Sequence, residues 1–215
     1  MKFTFGIVTA GTTNLPKIIE SIRAQQIPDE DIIVVGGSDP NMGIRHIPFD
    51  ETVKKGWISR KKNLITNNAR HENIVFMHDY FYLDEDWFRG FQLFGNQWDI
   101  CMNMIINADG YRYRDWCIYS DPDHCYPKTG PHKHMAFVVP YFYDKTKYMY
   151  ISGGYWVAKK SVMEKHLLNE TLGWGEGEDV DWSNRVLKEC SYKANPLSIV
   201  KMLKHKPLEL TYLDI

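Results

Sequence analysis

The chain has 215 residues, of which 44% are apolar and 25% charged, enough for one well-buried core and ordinary for a globular protein. A formal net charge of −1 supplies no field for bulk binding to nucleic acid or anionic lipid. No apolar run approaches the length of a membrane span, so no integral membrane segment is expected. The start, Met1-Lys2-Phe3-Thr4-Phe5, runs straight into a strand-like segment without a secretory pattern. Cys101, Cys117, Cys125 and Cys190 show no CxxC pairing and read as free thiols of a reducing compartment. The expected location is therefore cytoplasmic, with peripheral membrane attachment as the other option. Aromatic residues reach 14%, including 13 Tyr and 7 Trp, a composition that suits platforms for bases and sugars as well as a Tyr-rich core.

Phe3 to Thr9 is an apolar run ending in the turn Ala10-Gly11-Thr12-Thr13. Asn14 is placed to cap a helix with Pro16 in its first turn, and Ile18, Ile19 and Ile22 mark the buried face. Asp31 to Val35 reads as a second strand running into the loop Gly36-Gly37-Ser38-Asp39-Pro40. The spacing of Trp57, Ile58, Lys61, Leu64 and Ile65 predicts a helix over 57–69. Asn73 to Met77 is a third strand, and Leu83 to Phe88 reads as a helix start with acids in its first turn. This alternation predicts an α/β fold with a mostly parallel central sheet covered by helices on both faces. Ligands of such sheets bind beyond the carboxyl ends of the strands. Thr9-Ala10-Gly11, Gly36 to Asp39 and His78-Asp79-Tyr80 all fall at that edge. None forms GxGxxG or a Walker sequence, which disfavours a dehydrogenase or a P-loop NTPase.

Two motifs carry chemistry. His78-Asp79 ends a buried strand, where an acid can reach a hard cation held by phosphates or can simply cap the next turn. Leu172-Gly173-Trp174-Gly175-Glu176-Gly177-Glu178-Asp179-Val180-Asp181 delivers carboxylates from a glycine-rich loop to a helix start, whose spacing shows in Trp182, Val186 and Cys190. A helix N-terminus favours ionised carboxylates, so an Asp there suits a general base. The alternative is an ordinary acidic first turn.

Together these segments resemble the GT-A glycosyltransferases, specifically the family 2-like inverting enzymes. The segments that carry the likeness are Phe5-Gly6-Ile7-Val8-Thr9, Arg60-Lys61-Lys62-Asn63 and Asn73 to Tyr80. In the C-terminal third, Ile151-Ser152-Gly153-Gly154, Gly173 to Asp179 and Met202-Leu203-Lys204-His205 are similar to three segments of beta-1,4-galactosyltransferases in the same order. The resemblance implies one GT-A domain over 1–215, with a nucleotide-sugar-binding half at 1–100 and an acceptor-binding and catalytic half at 101–215. It implies transfer of a sugar, a hexose from a UDP-sugar in first place, to an acceptor hydroxyl of a glycan. Asp179 would be the base and Glu178 its partner toward acceptor hydroxyls. Thr9, Ala10, Gly11, Asp39, Arg60, Asn63, His78 and Asp79 would meet the donor. Gly153, Gly154, Trp174 and Glu178 would meet the acceptor. Asp79 and His205 would hold Mn²⁺, with Mg²⁺ the second choice. Two departures stand out: the expected Asp-x-Asp reads His78-Asp79-Tyr80, and Gly36 or Gly37 replaces a nucleobase-contacting Asp, with Asp39 as the substitute.

The resemblance does not cover about 107–148. Asn107-Ala108-Asp109-Gly110 reads as a turn between strands. The polar stretch 121–134, with three His and Cys125, has no standard zinc spacing and is expected to be an acceptor-side or donor-covering loop. Tyr141, Phe142 and Tyr143 are stacking candidates, and Arg114, Asp115 and Trp116 candidates for the acceptor side. The rival function from another class is a non-catalytic carbohydrate- or nucleotide-binding module of the same fold. A helical HD-type phosphohydrolase is disfavoured by the apolar strand before His78.

Overall fold

The computed structural model describes residues 1–11, 13–119, 136–143 and 148–207. Strand β1 (Phe3–Val8) is followed by α1 (Leu15–Arg23), β2 (Asp31–Val35), β3 (Arg45–Ile47), α2 (Ile58–Asn68) and β4 (Asn73–His78). Then come β5 (Phe81–Leu83), α3 (Trp87–Phe94), β6 (Ile100–Ile106), β7 (Cys117–Tyr119), β8 (Ala136–Val138) and β9 (Met149–Tyr150). The chain continues through β10 (Tyr155–Lys159), α4 (Lys160–Lys165), α5 (Glu178–Val186) and β11 (Tyr192–Met202). Strands β1, β2 and β4 are buried at every position, which is why they read as near-continuous apolar runs.

An eight-stranded sheet has the order β3-β2-β1-β4-β10-β6-β11-β5, beside a three-stranded sheet β8-β7-β9. The β3-β2-β1-β4 end is parallel throughout. Beyond it, β10 runs antiparallel to both β4 and β6, β11 is parallel to β6, and β5 is antiparallel to β11. The sheet is thus mixed, with its parallel half at the amino-terminal side. Successive residues of β1 face opposite sides. Phe3 and Phe5 meet the Trp87 ring of α3 at 5.1 and 5.5 Å between centroids. On the other side, a Cβ at Gly6 would lie 2.2 Å from Ile65 of α2. Helices therefore cover both faces, as the alternating pattern predicts. Behind α3, Trp87 Nε1 donates to Tyr155 Oη at 2.9 Å, and Tyr155 Oη donates to Asn103 Oδ1 at 2.5 Å, so the buried polar atoms find partners.

Three local expectations are corrected. Asn14 sits at the N-cap position of α1 but makes no cap with its side chain; its Nδ2 donates to the Asp79 carbonyl at 2.9 Å instead. The helix start expected over Leu83 to Phe88 falls at Trp87, so Leu83 ends the short strand β5 and the acids 84–86 precede α3, which has none in its first turn. Cys190 lies beyond the end of α5, whose buried positions include Trp182 and Val186. Among the described residues no helix is long and apolar enough to cross a membrane.

Candidate active site

The parallel half of the sheet brings the ends of β1 and β4 together. Thr9 Oγ1 donates to Asp79 Oδ2 at 2.7 Å, and the Asp79 amide donates to the Val8 carbonyl at 3.2 Å. Helix α2 sends two lysines into this region from its buried face. Lys61 Nζ donates to the Thr9 carbonyl at 2.7 Å and pairs with Glu51. Lys62 is fully buried; its Nζ donates to the Gly153 carbonyl at 2.7 Å, lies 3.4 Å from Glu178 Oε1 and sits 4.5 Å from the centre of the Trp156 ring. Burial lowers the Lys62 pKa, while Glu178 and Asp179 oppose that shift and favour the ammonium.

Beside these groups lies a cavity of about 710 Å³. It is lined by the strand end His78, Tyr80 and Phe81, by 152–154, by the loop and helix start 174–180, and by Arg114 and Lys206. The acidic wall comes from α5, whose first turn carries Glu178, Asp179 and Asp181. Asp179 Oδ2 accepts the Gly153 amide at 2.9 Å, and its Oδ1 accepts the Val180 amide at 2.9 Å. Each carboxylate oxygen keeps acceptor capacity for a ligand. Burial raises the Glu178 pKa, Lys62 opposes the rise, and Asp179 adds to it.

The cationic wall comes from the segment after β11. Lys206 Nζ donates to Tyr80 Oη at 2.7 Å, and Lys204 and Lys206 stand 4.1 and 4.5 Å from the centre of the Tyr80 ring. Asn107 holds this segment twice: its Nδ2 donates to the Lys206 carbonyl at 2.6 Å, and its Oδ1 accepts the Lys206 amide at 3.0 Å. Burial, with Lys204 and Arg114 nearby, pushes the Lys206 pKa down to about 8. The Gly153-Gly154 step joins the two walls. A Cβ at Gly153 would lie 2.8 Å from both Asp179 Oδ2 and Glu178 Oε1, and one at Gly154 would lie 2.9 Å from Tyr80 Oη. Only glycines let this backbone run so close to both groups. The carboxylates thus approach Gly153, and the Tyr80 hydroxyl that holds Lys206 approaches the next residue, Gly154.

Of the expected donor-side residues, His78 lines the cavity, whereas Thr9, Ala10, Gly11, Asp39, Arg60, Asn63 and Asp79 do not. Asp39 is exposed and accepts the Asn41 amide at 2.9 Å. Arg60 pairs with Glu170 at 3.0 Å, and Asn63 exchanges hydrogen bonds with the backbone of Leu168, so both fasten the loop that leads to Trp174. Gly153, Gly154, Trp174, Glu178 and Asp179 all line the cavity, and Trp174 is 69% exposed. Arg114 lines it as well. Asp115 and Trp116 do not, because both are buried; Asp115 takes a two-pronged pair from Arg112 and a hydrogen bond from Tyr141, which commits Tyr141 to packing. Phe142 and Tyr143 are exposed. The 121–134 stretch, with its histidines and Cys125, lies outside the described residues.

The groups expected to hold a divalent ion do not converge on the cavity. Asp79, whose Oδ2 accepts from Thr9, lies outside its lining, and so does His205, whose Nδ1 stands 3.2 Å from Asp109 Oδ2. His78 Nε2 is buried with no hydrogen-bond partner among the described residues, and burial with the charges of Lys62, Lys206, Lys204 and Lys61 holds its pKa well below the ordinary value. Among the described residues no three His, Cys, Asp or Glu side chains gather into a ligand set. The residues that sequence reasoning missed are Lys62, Asn107 and Lys206. For Lys62 a signal existed, since it stands four positions after Ile58 on the buried stripe of α2.

No protein-family model matches the chain, and no curated protein matches it in sequence. Solved structures do match. Staphylococcus aureus TarS 1–349 in complex with UDP-GlcNAc aligns with a TM-score of 0.65 at 12% identity, over 99% of this chain and 62% of that one. GalNAc-T7 with UDP, GalNAc and Mn²⁺ aligns with a TM-score of 0.67 at 9% identity, over 95% of this chain and 43% of that one. The chain therefore has the GT-A fold, and it spans about three fifths of the TarS fragment and less than half of the GalNAc-T7 chain.

Proposed function

We propose that the chain is an inverting glycosyltransferase that moves a hexose from a nucleotide-sugar, in first place a UDP-sugar, to an acceptor hydroxyl of a glycan. The observation that carries this reading is that the Glu178 and Asp179 carboxylates, the Gly153-Gly154 step and Lys206 line one cavity of about 710 Å³. That volume suits a small-molecule ligand. The cavity draws on both sequence halves, which supports a donor-binding role for 1–100 and an acceptor and catalytic role for 101–215. The nucleotide-sugars and nucleotides in the TarS and GalNAc-T7 structures support the donor class. The buried thiols of Cys101 and Cys117 support a reducing compartment such as the cytoplasm.

In this reading Asp179 accepts the proton of the acceptor hydroxyl as its oxygen forms a bond to the anomeric carbon. The bond from that carbon to the diphosphate breaks, and its electron pair leaves on the phosphate oxygen. One displacement inverts the anomeric centre. Glu178, held by Lys62, orients the acceptor, and Trp174 offers an apolar face for a sugar ring. A divalent ion of the kind in the GalNAc-T7 structure would offset charge on the diphosphate. The side chains around His78 do not fit such an ion, and none of these steps depends on one.

The second reading, a binding module without turnover, is favoured by Tyr80 standing where an acid is expected. The anomeric configuration of the product tests the mechanism. Proton NMR of the earliest sugar released from a UDP-sugar is expected to show the anomer opposite to that of the donor. Retained configuration would overturn a single displacement assisted by Asp179.

A further inference from the structure

Lys204, Lys206 and Arg114 form a cation cluster that the fold holds together without carboxylate partners among the described residues. Lys204 and Lys206 share the Tyr80 ring, and Arg114 lines the same cavity as Lys206. Arg114 adopts a positive φ of 31°, and its buried Nε has no hydrogen-bond partner among the described residues. Such a backbone conformation is costly for a non-glycine residue. Gathered like charges also repel, and a bound anion would relieve that repulsion.

The cluster lies just beyond the carboxyl end of β4, the edge at which ligands of such sheets bind. Lys206 is anchored by Tyr80 Oη on one side and clamped through its backbone by Asn107 on the other. Its ammonium therefore has a fixed place at the end of β4, next to His78. In the reading proposed above, the leaving diphosphate must be neutralised at this strand end. Tyr80, which breaks the acidic triplet, removes a metal-binding carboxylate and supplies the surface on which two lysines rest. The same substitution that weakens a cation site thus builds a cationic one.

We propose that Lys206, assisted by Lys204 and Arg114, binds the diphosphate of the donor and neutralises it on departure, so that transfer does not depend on a divalent ion. The inference rests on the donor reading. When the bond from the anomeric carbon to the phosphate oxygen breaks, the electron pair stays on that oxygen, and the Lys206 ammonium stabilises it by a charge-assisted hydrogen bond. The acceptor oxygen makes the new bond, and its proton passes to Asp179. A neutral His78 beside the cluster can donate a hydrogen bond from its ring N–H to a phosphate oxygen without adding charge.

Calorimetry with UDP tests the inference on the intact chain, first in excess EDTA and then with Mn²⁺. The wild type is expected to bind UDP in EDTA, with a Kd that Mn²⁺ changes by less than about twofold, whereas Lys206→Met weakens binding about tenfold or more. Lys206→Arg, which keeps the charge, is expected to retain most of the affinity. Circular dichroism of both variants verifies that they fold. Binding that appears only with Mn²⁺, or a folded Lys206→Met that binds like the wild type, overturns the inference and leaves the donor site standing. Failure to bind UDP under either condition removes the donor reading and the inference with it.

Discussion

Asp179→Asn is expected to lower sugar transfer by about 10²- to 10⁴-fold, the usual contribution of a general base, while leaving the donor Kd within about twofold. The substitution conserves shape. The amide oxygen still accepts the Gly153 N–H that now meets Asp179 Oδ2 at 2.9 Å, so the fit between α5 and Gly153 persists. What is lost is the capacity to take a proton from an acceptor hydroxyl, together with the hydrogen bond that Oδ1 accepts from the Val180 amide. Steady-state kinetics with a donor and its acceptor, paired with donor binding by calorimetry, checks this. Transfer retained at the wild-type rate would remove Asp179 from the role of base.

Lys62→Met is expected to be the most destabilising of the site substitutions. The lysine is fully buried and donates to the Gly153 carbonyl at 2.7 Å, beside Glu178 at 3.4 Å. Methionine fills much of the same volume but strands a carboxylate that burial already disfavours. Breaking a buried ion pair from one side costs about 3–5 kcal/mol. In a chain of this size that lowers Tm by about 6–20 °C. The paired substitution Lys62→Met with Glu178→Gln removes both charges and is expected to recover much of the loss, since the stranded charge is the source of the penalty. Thermal unfolding of the wild type and the variants measures it. A single variant that unfolds within about 2 °C of the wild type would show that the pair carries little of the stability.

The parallel half of the fold was legible because its strands are buried on both faces, so their apolar runs need no tertiary information. Asp31 to Val35 has the same bounds in sequence and structure. The other half was harder for a physical reason. Strand β5 has only three residues and is defined by pairing with the far end of β11, so its local pattern merged with the following helix. Strand β10 enters antiparallel between β4 and β6, a choice made by contacts distant in sequence.

The site divides the same way. Gly153, Gly154, Trp174, Glu178 and Asp179 were visible because glycine and acid spacing survives in one dimension, and the structure gathers them around one cavity. Lys204 and Lys206 were not. Lysines flanking a histidine read as a solvated surface until a partner fixes their direction, and that partner, Asn107, is 99 residues from Lys206. Arg60 and Asn63 show the converse. Their types suit a phosphate site, but Glu170 and Leu168, more than 100 residues on, turn them toward a loop.

Turnover of a nucleotide-sugar in the cavity lined by Asp179 and Lys206 is the reaction proposed for the chain. Its most direct test is release of nucleoside diphosphate, followed by phosphorus NMR, from a panel of nucleotide-sugars incubated with the wild-type chain in EDTA and with Mn²⁺. The expected result is slow release from at least one donor in EDTA, abolished by Asp179→Asn. Binding of a donor with no release from any member of the panel, in EDTA or with Mn²⁺, would contradict the claim and leave a binding module of the same fold.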